Sequence, residues 1–95
     1  MNLYDEKERI LNMVIEWIKN NIKARRTPNK VHTSYGIKHL YERETGEYIT
    51  NDDFKAAMLF CGFTPVNEQD TNWCFCISEK SPAFKEVVSC RFQKN

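Results

Sequence analysis

The chain has 95 residues, which fit one domain and are too few for two. Charged residues make up 28% of the chain and hydrophobic residues 41%, but the net charge is only +1, which argues against disorder and against coating nucleic acid by bulk charge. No apolar stretch reaches bilayer-spanning length and the first residues lack a signal-peptide pattern, so we expect one cytoplasmic domain over residues 1–95 without membrane contact.

Apolar periodicity predicts a first helix from residue 6 to about residue 23. Asp5 and Glu8 have the three-residue spacing of a capping box at its start. Helical spacing relates its apolar residues, which are Ile10, Leu11, Val14, Trp17, Ile18 and Ile22. Pro28 breaks the pattern, because the residue before a proline disfavours helical backbone. We interpret residues 24–33 as a polar linker within the domain.

A second helix is predicted between an N-cap at Thr33 or Ser34 and a stop at Gly46. Its apolar face consists of Ile37, Leu40 and Tyr41. Short polar residues are good N-caps because their side-chain oxygens accept hydrogen bonds from unpaired amides of the first turn. The sequence therefore indicates a helix of about three turns directly after the linker.

A third helix is predicted between an N-cap at Thr50 or Asn51 and a stop at Gly62. Asp52 and Asp53 stand in its first turn, where negative charge favours the helix dipole. A core-facing stripe at helical spacing consists of Phe54, Ala57, Met58 and Cys61. This helix would follow the second after a connection of only a few residues.

The strand signal lies in residues 63–77. Trp73, Phe75 and Ile77 alternate onto one face of a strand over residues 72–77. We expect this strand to form a hairpin with residues 63–66, in which Pro65 confines the first strand to an edge. Ser81-Pro82 then opens a last helix whose apolar face is Phe84, Val87, Val88 and Phe92.

This order of elements predicts an α+β fold that is mostly α. Three helices, a two-stranded hairpin and a C-terminal helix match the order of a winged helix-turn-helix domain. A hairpin alone is not stable in water, so it must pack on the helices.

Charge is distributed unevenly along the chain. Residues 19–41 contain no acid and six basic residues, namely Lys19, Lys23, Arg25, Arg26, Lys30 and Lys38. Residues 42–70 contain seven acids, namely Glu42, Glu44, Glu47, Asp52, Asp53, Glu68 and Asp70. The basic segment is either a contact surface for phosphates or a solvated helix end with its linker. Both interpretations remain open from the sequence.

A DNA-binding module is the first functional hypothesis. The predicted contact residues are Arg25, Arg26, Lys30 and Lys38 for phosphates, Asn51 and Lys55 near the bases, and His39 on the same exposed surface. Asp52 and Asp53 would repel phosphates at the start of the third helix, so binding is expected to run through the basic segment.

Two alternatives belong to other functional classes. The first is a non-enzymatic adaptor whose acidic face, with Glu42, Glu44, Glu47, Asp52 and Asp53, meets a basic host or phage protein. The second is a structural subunit that associates through the face of Trp73, Phe75 and Ile77 and through the last helix. We expect a monomer or a weak homodimer.

Catalytic and metal sites are not indicated by the sequence. No Ser or Cys has a visible base and orienting partner, and no glycine-rich phosphate loop occurs, so we expect no enzyme activity and no cofactor. The four cysteines, Cys61, Cys74, Cys76 and Cys90, lack the CxxC spacing typical of zinc sites. We expect free thiols that behave as small apolar side chains rather than a metal site.

A family resemblance rests on the middle of the chain. The residues that carry it are the run Thr33 to Leu40, then Glu42, Glu44-Thr45-Gly46, Tyr48-Ile49, Asn51, Phe54-Lys55, Ala57-Met58, Gly62-Phe63 and Asn72 to Ser78. This pattern, over about half of the chain, resembles small bacteriophage and mobile-element proteins of Gram-positive bacteria. It is more loosely similar to winged-helix modules of phage replication primase-helicases. The resemblance implies a phage context and no catalytic residue.

Overall fold

The computed structural model describes residues 3–84, with side chains from residue 6 onward. Its elements are, in chain order, α1 (Leu3–Asn21), β1 (Ala24–Thr33), α2 (Ser34–Thr45), α3 (Asn51–Phe60) and β2 (Cys74–Ile77). Residues 82–84 are also helical. The predicted α+β class and the three helices are confirmed. Val87, Val88 and Phe92, which were assigned to the last helix, lie outside the described residues.

One hydrophobic core joins the three helices and β2. Its buried side chains include Val14, Trp17, Ile18 and Ile22 of α1, Ile37 and Tyr41 of α2, Phe54, Ala57 and Met58 of α3, and Phe75 and Ile77 of β2. The helical spacing of the apolar residues on α1 and α3 therefore identified the faces that pack together. The alternation on β2 likewise places Phe75 and Ile77 against the helices.

Two threonines determine where the second and third helices begin. The Thr33 hydroxyl accepts a hydrogen bond from the Gly36 amide at the start of α2, and the Thr50 hydroxyl accepts one from the Asp53 amide at the start of α3. Gly46 ends α2 with a φ of 78°, in the left-handed region that glycine adopts at little cost. Five residues, 46–50, connect α2 to α3.

The sheet differs from the predicted hairpin. Residues 24–33 form β1 rather than a linker, and β1 pairs with β2 in a two-stranded antiparallel sheet. Residues 63–66 form no strand, although the Val66 amide donates a hydrogen bond to the Cys74 carbonyl at 2.9 Å. The physical reason is that Asn29 is the one fully buried residue of β1. A strand that faces solvent on both sides has no hydrophobic alternation by which its sequence could reveal it.

Candidate functional site

The basic segment is organised around two bulges in β1. Ala24, Asn29 and Thr33 pair with Ile77, Phe75 and Cys74. Four residues of β1 (25–28, the first bulge) therefore lie opposite one residue of β2, and three residues (30–32, the second bulge) lie opposite none. Bulges push their surplus residues out of the ladder. The basic residues of β1 are accordingly carried on protruding backbone.

The Arg25 side chain stabilises the first bulge through hydrogen bonds to its backbone. Its Nε donates a hydrogen bond to the Thr27 carbonyl at 2.9 Å, and its Nη2 donates one to the Pro28 carbonyl at 2.8 Å. A guanidinium has five N–H donors, so three remain for other acceptors. The side chain is half-buried, whereas the neighbouring Arg26 is exposed. Arg25 thus has a structural role that leaves its charge at the surface.

Asn29 stabilises the second bulge, although no sequence pattern marks this residue. The amide is 1% exposed, and its Oδ1 accepts hydrogen bonds from the backbone amides of Val31 (2.9 Å) and His32 (3.2 Å). Its Nδ2 donates to the Ile77 carbonyl (3.2 Å) and to Glu79 Oε2 (2.9 Å). A single buried side chain therefore fixes the bulge, β2 and the following turn together.

His32, in the second bulge, contacts Glu79 and Phe84, two residues that follow β2 in the chain. Its Nε2 lies 3.2 Å from Glu79 Oε1, and its ring stacks on Phe84 with centroids 3.7 Å apart. Hydrogen bonds from Asn29 and His32 hold the pKa of Glu79 below its usual range, despite some opposing burial. Glu79 is therefore an anion at neutral pH that is already engaged by these two partners.

Four cations of the basic segment stay exposed. They are Lys19, Lys23, Arg26 and Lys30, and none has a carboxylate within 4.0 Å in residues 6–84. Together with Arg25, the last three lie on β1 or directly before it. We call Lys23, Arg25, Arg26 and Lys30 the basic strand surface.

Lys38 does not belong to that surface. It is 5% exposed, and its Nζ donates to Glu42 Oε2 at 2.9 Å, so the expectation of an exposed Lys38 is wrong. Glu42 also lies 3.2 Å from Nδ1 of the exposed His39 and accepts from the Ile49 amide at 3.0 Å. Burial raises the pKa of Glu42, but the Ile49 amide and the Lys38 ammonium outweigh it and hold that pKa below its usual range.

The two residues predicted to read bases are engaged inside the fold. Asn51 Oδ1 accepts from the Ser34 hydroxyl at 3.1 Å, and its Nδ2 donates to the Thr71 carbonyl and to Asn72 Oδ1. Lys55 Nζ lies 4.7 Å from the centre of the Trp73 ring, in a cation–π contact. Asn51 in the first turn of α3 and Lys55 in the next turn thus hold the segment before β2.

A shallow cleft of about 520 Å³ separates α1 from α2. Met13, Trp17 and Tyr41 are among its lining residues, and the buried Tyr41 hydroxyl has no hydrogen-bond partner in the described part of the protein. Burial raises the pKa of Tyr41. The cleft is apolar and contains none of the predicted contact residues.

Residues 3–84 were also compared with the requirements for a metal site, a disulfide and a membrane-spanning helix. Within that range no group of three His, Cys, Asp or Glu side chains is placed to hold a metal ion. Cys61, Cys74 and Cys76 are free thiols, and Cys90 lies outside the described residues. None of the helices in this range combines the length and apolar content that crossing a membrane requires.

No protein-family model, no curated protein and no solved structure matches the chain. The resemblance to bacteriophage proteins therefore stays a prediction from the residue pattern.

Proposed function

We propose that this protein binds DNA through phosphate contacts made by the basic strand surface, in keeping with the phage context that its sequence pattern suggests. The observation that carries the proposal is the bulged geometry of β1, which displays Arg25, Arg26 and Lys30 on protruding backbone. Arg26 and Lys30 have no carboxylate within 4.0 Å among the described residues. Clustered cations of this kind gain free energy by releasing counterions from nucleic acid.

The element order supports a winged helix-turn-helix interpretation of the fold. α2 and α3 are joined by a short connection that contains Gly46, as in helix-turn-helix pairs, and β1 of the sheet packs beside α2. In this interpretation the basic residues lie on the sheet, whereas the N-terminal turn of α3 presents Asp52. We therefore propose backbone contact without readout of bases by α3.

The acidic-face alternative has less support. Glu42 is engaged with Lys38, Glu44 Oε1 accepts the Trp17 indole N–H at 2.9 Å, and Asp53 lies 3.5 Å from Lys7 Nζ. Most acids of that surface thus have partners within the domain. A protein partner would have to compete with these contacts.

The proposal predicts salt-sensitive binding of a fluorescent DNA oligonucleotide, measured by anisotropy. Four phosphate contacts imply a loss of about two orders of magnitude in affinity between 50 and 200 mM salt. Replacing Arg26→Glu and Lys30→Glu together should weaken binding by more than about tenfold, because two contacts become repulsions.

Arg43→Glu is the matched control, since Arg43 is exposed at the end of α2 and outside the basic strand surface. It should change affinity far less than the double variant. Absence of binding to both single-stranded and duplex DNA at low salt would contradict the proposed function. Equal losses for the control and the double variant would contradict the assignment to β1.

A further inference from the structure

Two exposed tyrosines flank the buried Lys38. Tyr35 in the first turn of α2 is 49% exposed, and Tyr48 in the connection between α2 and α3 is 71% exposed. The Lys38 ammonium lies 5.6 Å from the centre of the Tyr35 ring and 5.2 Å from that of Tyr48. We call Tyr35 and Tyr48 the tyrosine pair. One cation therefore holds two aromatic rings at the surface.

The rings are held in place without being covered. The Tyr35 ring also packs edge-on against His39, with centroids 4.4 Å apart, and Glu42 neutralises Lys38 beneath the pair. Rings that are already oriented lose little conformational freedom when a ligand stacks on them. A phenol ring is large and amphipathic, so it suits a flat partner with a polar edge.

The tyrosine pair begins a few residues after the basic strand surface along the chain. α2 begins at Ser34 directly after β1 ends at Thr33, and Tyr35 follows Lys30 by five residues. Five residues span at most about 18 Å, a distance that a few nucleotides cover. A strand with its phosphates on β1 could therefore bring its bases to these rings.

Resting on the proposed function, we propose that the nucleic acid is single-stranded and that its unpaired bases stack on Tyr35 and Tyr48. Aromatic rings beside a basic track are the means by which proteins hold single strands without reading sequence. A duplex hides its base faces in the stack, so the tyrosine pair has nothing to bind there. The Asp52 carboxylate at the start of α3 also disfavours entry of that helix into a major groove.

The test compares an oligothymidine of about 12 nucleotides, its RNA counterpart and a duplex of equal length, all by anisotropy. We expect either single strand to bind at least about tenfold more tightly than the duplex. Tyr35→Ala and Tyr48→Ala should each weaken single-strand binding about fivefold to a hundredfold and leave duplex binding unchanged. Tyr35→Phe and Tyr48→Phe should bind like the unmodified chain, because stacking needs no hydroxyl.

Phe60→Ala is the control for loss of an exposed aromatic, since Phe60 is 72% exposed at the end of α3. It should leave single-strand affinity unchanged, and thermal unfolding confirms that each variant is folded. Equal affinity for duplex and single strand, with the Arg26 and Lys30 reversals still weakening both, would overturn this inference and leave the proposed function standing. Loss of binding in the phenylalanine variants would overturn it as well, because the hydroxyls would then be the contacts.

Discussion

At the scale of single residues, Asn29 shows how one polar side chain shapes a surface. Its amide is buried, and all four of its hydrogen-bonding positions are used by backbone or by Glu79. A buried amide is tolerated only when it is satisfied in this way. The exposed position of Lys30 depends on this anchor, because Lys30 lies in the bulge that Asn29 closes. A residue outside the proposed contact surface therefore helps to place one of the cations that we propose to contact phosphate.

Glu42 gives a pH-dependent prediction at the same scale. Its pKa is lowered in the folded protein, so its stabilising contribution is complete above the ordinary glutamate pKa and is lost as the pH falls through the lowered value. Glu42→Gln keeps an oxygen for the Ile49 amide but leaves the Lys38 ammonium buried without a counter-charge. We expect it to lower the free energy of unfolding by about 2–4 kcal/mol at pH 7.

Urea unfolding at a series of pH values measures this effect. The difference between Glu42→Gln and the unmodified chain should begin to shrink below about pH 4.5, where Glu42 of the unfolded chain takes up a proton, and it should be lost as the pH falls through the lowered pKa of the native carboxylate. Glu16→Gln, on an exposed position of α1, is the control and should change stability by less than about 0.5 kcal/mol. A difference that stays constant from pH 7 to pH 3 would show that charge pairing with Lys38 is not the cause.

At the scale of elements, replacement by alanine should have opposite effects on stability at Gly36, within α2, and at Gly46, which caps its C-terminal end. Gly46→Ala imposes a side chain on a left-handed backbone with a φ of 78°, so we expect a loss of about 1 kcal/mol. Gly36→Ala lies within the helix, and its new Cβ would lie 3.9 Å from Thr33 Oγ1, an ordinary contact. It should stabilise the protein by about 0.5–1 kcal/mol.

Thermal or urea unfolding of these two variants checks the prediction. Because both variants replace glycine by alanine, the difference between their free energies of unfolding cancels any general effect of adding a methyl group. If Gly36→Ala destabilised the protein as much as Gly46→Ala does, helix propensity would not determine the stability change at position 36, and the prediction would be wrong.

The elements also differ in how far the sequence could reveal them. α1 and α3 were predictable because their buried residues recur at helical spacing, and the caps at Thr33 and Thr50 follow from short polar side chains. β1 was not predictable in the same way. Its ten residues expose most of their side chains, and its two bulges interrupt even the alternation that pairing would impose. Its partnership with β2 depends on a contact across two intervening helices.

At the scale of the whole molecule, the acidic and basic segments of the sequence have different roles in the structure. The acids of residues 42–53 largely serve internal contacts, as with Glu42, Glu44 and Asp53. Several cations of residues 19–30 stay exposed. Linear charge counts could predict the basic surface but not which acids would be used within the fold. The same limitation of charge counts explains the wrong expectation of an exposed Lys38. Its pairing with Glu42 depends on the four-residue helical spacing and on the burial of the Lys38 side chain.

This distribution leads to a prediction for the whole surface. In an amide NMR titration with the oligothymidine, we expect chemical-shift changes to concentrate in residues 23–35 and around Tyr48. The exposed positions of α3, among them Asp52 and Phe60, should change little, because they belong neither to the basic strand surface nor to the tyrosine pair. Salt should reverse the changes in residues 23–33 first, since they arise from phosphate contacts. Changes centred on residues 51–60 would instead indicate binding through α3 and would contradict both the basic strand surface and the tyrosine pair as the contact sites.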